Sequence, residues 1–196
     1  MNDSEKSQHL DLISIDVGLL SFMTAVTIFI NGLLLTRFDS YDTLIKVPIS
    51  FLILSMLGFL FSSLIIANTG ENIIDNKVNE NKKHLLYGYA ISEYIGVYLF
   101  VLSIPLAVNV ITSDLYLRIV TILGTLFGLS VYQFMGFSIL ERHFPKTHKI
   151  FAILVILFGL ILFTTQLCNF YFIEFSVIFL VFILFITYLG PRKDFQ

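Results

Sequence analysis

Six long, almost unbroken apolar runs dominate this chain, over residues 12–36, 45–67, 85–111, 115–140, 149–166 and 170–189. A bilayer hydrocarbon core about 30 Å thick is crossed by roughly 20 residues of helix, and each run meets or nearly meets that length. Inside lipid every backbone N–H and C=O must be satisfied within the protein, so only helices or a closed barrel can cross. A barrel would show alternating segments of about ten residues, and none are present. The expected fold class is therefore an all-α integral membrane protein with six transmembrane helices. The short "LCN" between the last two runs leaves a second expectation open there, that they form one re-entrant unit.

Composition agrees. The 196 residues are 57% hydrophobic and 13% charged, about half the charge of an ordinary soluble chain. A formal net charge of −2 excludes a globally basic nucleic-acid binder. Cys168 is the single cysteine, so an internal disulfide and a Cys-x-x-Cys metal site are both excluded. The opening "MNDSEKSQHLD" is polar and mixed in charge, and the apolar run after it is too long for the core of a cleaved signal, so it reads as a retained helix.

Basic residues set the expected orientation. Both tails (1–11 and 190–196) and loops two and four carry Lys6, Lys77, Lys82, Lys83, Arg142, Lys146, Lys149, Arg192 and Lys193. The opposite side has Arg37, Lys46 and Arg118, so the count is nine against three. The positive-inside rule then puts both termini in the cytoplasm, with the spans organised as three hairpins in the cell membrane. The one long connector, "NTGENIIDNKVNENKKH", reads as a solvated loop, and no segment outside the bilayer is large enough for a soluble domain. Asp42-x-x-x-Lys46 and Asp114-x-x-x-Arg118 each open a helix after an outer turn. Dipole and i,i+4 pairing account for them, and an internal duplication is the alternative.

Small residues let membrane helices approach closely. The third run offers Gly88, Ser92, Gly96, Ser103 and Ala107, and the second Ser55, Gly58 and Ser62. The fourth has Gly124, Gly128 and Gly136, and the first Ser14, Gly18, Ser21, Ala25 and Gly32. The sixth has only bulky apolar residues. The expectation is that helices one to four form the packed centre, with the sixth facing lipid or a partner subunit.

One residue stands out in "YGYAISEYIGVYLF". Glu93 lies nine residues beyond His84, about 13 Å along a helix, and so within the inner leaflet's hydrocarbon. A charge at mid-membrane costs roughly 2.5–3.5 kcal/mol on insertion scales, so the carboxyl must be protonated, paired or hydrated. Gln133, nine residues before Arg142, falls at the same depth on the next helix. Tyr89 or Tyr94, and Asp16 from the first helix, complete a candidate inner cluster with Glu93 and Gln133. Asn31, Asn109, Gln166 and Glu174 form a candidate outer set. Together they are read as an ion pathway; the plainer account is snorkelling and interhelical hydrogen bonding.

Several chemistries lack their residues. His9, His84, His143 and His148 all lie outside the spans, so a haem held between helices is excluded. No span carries the regularly spaced arginines of a voltage sensor, a deep lysine for a Schiff base, or paired aspartates for an intramembrane protease. "LYGYA" lacks the lead residues of a potassium filter. Glu141, His143 and His148 do not have helical metal-site spacing, and Pro145 separates the two histidines; a basic loop on anionic headgroups accounts for them. No cofactor or metal is expected. The expected function is an oligomeric channel or transporter-like protein for a small ion, with lipid and further copies as partners. The alternative is a non-catalytic subunit of a larger membrane complex, and an enzyme working through the His-bearing loop is the less favoured third class.

Overall fold

A computed structural model describes residues 3–74, 78–134 and 145–189. It is all-helical across them, and six helices are long and apolar enough to cross a membrane: Leu10–Leu35, Thr43–Thr69, His84–Ile111, Leu115–Gln133, Lys149–Leu167 and Phe172–Leu189. The first two spans belong to α1 (Asp3–Leu35) and α2 (Lys46–Ile74), with two short 3₁₀ turns between them. The third is composite: α3 (Val78–Ala90), a π-helical segment (Ile91–Val97) and α4 (Tyr98–Ile111). The remaining spans are α5 (Leu115–Phe134), α6 (Pro145–Leu167) and α7 (Phe172–Leu189). The last two are complete helices joined by a tight turn in which Asn169 and Tyr171 take positive φ (50° and 49°), so the re-entrant alternative is set aside.

The third span is the axis of the bundle, with 56% of an 18-residue apolar stretch buried, and the second span, 50% buried over such a stretch, lies against it. Their contact is built from small residues. Ser55 Oγ donates to the Gly96 carbonyl and Ser62 Oγ to the Gly88 carbonyl, each at 2.7 Å. Gly58, one turn from each serine, sits against the Gly96 amide nitrogen, where a Cβ would come within 2.9 Å. Absent side chains bring the two backbones together, and the serine hydroxyls, unable to reach water, bond across the gap.

Elsewhere the small-residue stripes do not decide packing. Gly124 and Gly128 face open space, and α5 turns Thr125, Leu129 and Gln133 inward instead. Along α1 the residues Ser14, Gly18, Ser21, Ala25 and Gly32 are exposed, while Ile13, Leu20, Thr27, Asn31 and Leu34 are buried. Gly136 lies outside the described residues. The expected centre of helices one to four is corrected accordingly: over an 18-residue apolar stretch of each, the fourth span is 11% buried and the first 22%, against 39% and 33% for the fifth and sixth. The physical reason is that a small residue permits close approach without compelling it, since lipid is as apolar as any helix face. Bulky side chains that interlock bury the sixth span. Phe179 packs on Phe51 of α2 (ring centroids 5.7 Å apart) and on Phe158 of α6 (6.0 Å), and Phe158 stacks on Phe182 at 4.7 Å.

Candidate functional site

Glu93 lies in the π-helical segment at the centre of the bundle and is only 3% exposed. Its own carbonyl accepts the Tyr98 N–H five residues on, the bond that defines a π turn. Such segments inside α-helices are frequent at functional sites because the extra residue re-aims the side chains around it. On α5, Gln133 meets Glu93 as their equal depth allowed: its Nε2 donates to Glu93 Oε1 at 3.2 Å. Gln133 is 1% exposed, and its Oε1 has no hydrogen-bond partner among the described residues.

Three tyrosines lie near Glu93: Tyr94 and Tyr98 from its own span and Tyr132 from α5. Tyr94 is held by its ring, edge-on to Tyr98 (5.6 Å) and to Phe151 of α6 (6.2 Å). The Tyr98 hydroxyl is buried and forms no hydrogen bond of full geometry, although it lies close enough to Glu93 to interact with it.

Asp16 is not bonded into this group. Its Oδ2 accepts a 2.6 Å hydrogen bond from Tyr89, which ties the first span to the third. The inner polar residues thus divide into two pairs, Asp16 with Tyr89 and Glu93 with Gln133.

Toward the other end, Asn109 Nδ2 donates to Gln166 Oε1 at 2.9 Å, and Gln166 Nε2 donates to the Leu106 carbonyl at 2.8 Å. Both residues are buried, so this clasp between α4 and α6 replaces water that cannot reach them. Glu174 does not join it; it is exposed in the first turn of α7. Asn31 is buried with neither amide atom paired among the described residues. Between the inner and outer groups lie Leu99, Leu102 and Leu106, each at most 1% exposed, in one apolar cluster with Leu162, Phe163 and Phe179. Ser103, buried on the same stretch, turns its hydroxyl back onto the Phe100 carbonyl of its own helix. A groove of about 390 Å³ opens among the second, third and sixth spans, lined only by hydrocarbon side chains and Gly58.

Tyr98 is the site residue that sequence reasoning missed. At 100° per residue, position 98 lies about 140° round the helix from position 93, on the far side. The π turn removes that separation, and a 3.6-residue period gives no sign of it. Glu141, His143 and His148 lie outside the residues whose side chains are described, and among the described residues no three His, Cys, Asp or Glu side chains gather as metal ligands.

No protein-family model matches this chain, and comparisons with curated proteins and with solved structures give no significant match.

Proposed function

We propose that this multi-pass membrane protein moves a small cation or a proton across the bilayer, with Glu93 as the group that binds it. The observation that carries the reading is a carboxyl group at 3% exposure within a helix of the membrane domain, held by a neutral amide in a π-helical segment. Ionisable groups at such depth are expensive and mark ion paths or proton relays. The Leu99–Leu102–Leu106 layer between Glu93 and the Asn109–Gln166 clasp supports a carrier that opens to one side at a time rather than a standing pore.

The orientation belongs to the same proposal: three hairpins in the cell membrane, both termini cytoplasmic, Glu93 toward the cytoplasmic mouth. So does assembly into an oligomer. The outward face of the fourth span, with Gly124 and Gly128 open to close approach, is the surface a second copy would use.

Reconstitution into vesicles tests the function. Wild-type protein dissipates an imposed Na⁺, K⁺ or proton gradient, and Glu93→Gln, which keeps shape and removes charge, reduces that flux at least tenfold. Equal flux from both proteins rules Glu93 out. The second reading, a non-catalytic subunit of a membrane complex, draws on the dry leucine layer and predicts no flux from either protein.

A further inference from the structure

Spans two and six both pack on the third and meet each other at Phe51 and Phe179, whose ring centroids are 5.7 Å apart. Beyond that contact the groove of about 390 Å³ separates them. It begins at Leu54, three residues past Phe51, and at Leu180, next to Phe179, and it runs to Ile65 and Leu184. Ile65 stands four residues before the end of its span at Thr69, and Leu184 five before Leu189. The groove therefore lies in the half of the membrane domain that ends at Thr69, His84 and Leu189, with the two rings at its deep end. Its floor is Gly58 together with Ile91 and Ile95 of the π segment.

Nothing on these walls can hold water. The lining side chains are all hydrocarbon, whereas a buried water needs several polar partners. Leaving the space empty forfeits dispersion contacts along its whole wall. The surrounding helices are long and apolar enough to cross a membrane, so the medium beside the groove is hydrocarbon. Phe61 and Leu184, on its two rims, are each 53% exposed, so it is open sideways to that medium. Its dimensions choose among apolar occupants. From Leu54 to Ile65 the helix rises about 16 Å, roughly half of a hydrocarbon core about 30 Å thick. Spread over that length, the volume gives a cross-section of about 24 Å². A helix of a second copy, about 10 Å across, needs about three times that. A single methylene chain fits.

We propose that this groove seats one acyl chain of a membrane phospholipid from the leaflet on the Thr69–His84 side, its methyl end against Phe51 and Phe179 and its ester end beyond Ile65. Lys82 and Lys83 immediately precede His84 in the sequence and fall at the level of the phosphate. The site is independent of the transport reading, since it asks nothing of the Glu93 carboxyl. It adjoins that reading at the backbone: Ile91 and Ile95 belong to the π segment, so a seated chain becomes part of the packing that holds it.

The test is photocrosslinking of the full-length chain in nanodiscs of dioleoylphosphatidylcholine with a trace of the same lipid carrying a diazirine in one acyl chain. A diazirine at the methyl end labels Leu54 and Leu180, and one near the ester labels Ile65 and Leu184. Each signal exceeds that of the exposed α1 face, Leu12 to Phe22, by about tenfold, the mark of a held chain over a passing one. Leu184→Trp fills the mouth of the groove and lowers this labelling about tenfold. Leu19→Trp, the same change on a face open to lipid, leaves it unaltered. Native mass spectrometry from mild detergent finds a phospholipid retained by the wild type and lost from Leu184→Trp. Where circular dichroism shows Leu184→Trp unfolded, Leu184→Phe takes its place, and the order of labelling along the wild-type groove needs no variant. Labelling no stronger than on α1, the reverse order, labelling that survives a folded mouth-filling variant, or a lipid-free dimer that such a variant dissociates overturns the proposal. The last result puts a side chain of a second copy in the groove instead.

Discussion

Replacing Gly58 by Ala probes the contact that seats the π segment. The added Cβ would lie 2.9 Å from the Gly96 backbone nitrogen and 2.9 Å from Ile95 Cγ2. Comfortable contact needs about 3.5–4.0 Å, so the second and third spans must separate by roughly 0.6–1.1 Å. The backbone nitrogen cannot swing aside as a flexible side-chain end would. That separation stretches the two 2.7 Å serine bonds on either side, Ser55 to Gly96 and Ser62 to Gly88. Overpacking costs about 1–3 kcal/mol. Each interhelical bond in a membrane contributes about 0.6 kcal/mol, so the loss totals about 2–4 kcal/mol. For a chain of this length that corresponds to a drop in Tm of roughly 5–15 °C. The chain has no tryptophan, so unfolding is best followed by circular dichroism in nanodiscs. Gly18→Ala is the matched control, because a Cβ there meets nothing within 4 Å. A Gly58→Ala protein that melts with the wild type, or a Gly18→Ala protein that melts as early as Gly58→Ala should, refutes the close crossing of spans two and three.

Other outcomes follow from the same geometry. Gln166→Leu removes both bonds of the outer clasp and strands the Asn109 amide, and it should lower stability by about 1–3 kcal/mol in the same melting assay. Tyr89→Phe removes the hydroxyl that holds Asp16; it should loosen the first span by about 0.6–2 kcal/mol, read as faster hydrogen exchange in α1 with α6 unchanged. Cys168, the single thiol, is exposed at the turn before α7. A membrane-impermeant maleimide should label it on intact cells, and labelling only after permeabilisation would reverse the proposed orientation.

The six spans were readable in the sequence because lipid imposes one rule on every residue of a crossing helix, and composition alone reports obedience to it. The Glu93–Gln133 contact was readable for a related reason. Two polar residues counted inward from basic helix ends fall at equal depth, and buried amides and carboxyls seek each other. Partner choice beyond depth was not readable. Tyr89 stands one turn from Glu93 in sequence and yet bonds Asp16, since rotation about the helix axis, not depth, selects between them.

The chain's order of residues determined six helices long and apolar enough to cross a bilayer, with a carboxyl group placed inside one of them. Tertiary structure alone decided which helices lie inside. Glycine stripes on the first and fourth spans looked equivalent to that on the second, but close approach is only permitted by a missing side chain, and the interlocking of Phe51, Phe158 and Phe179 determined which faces met. The π turn that brings Tyr98 toward Glu93 likewise has no signature in a 3.6-residue period. It shows only in the Tyr98 N–H reaching the Glu93 carbonyl five residues back.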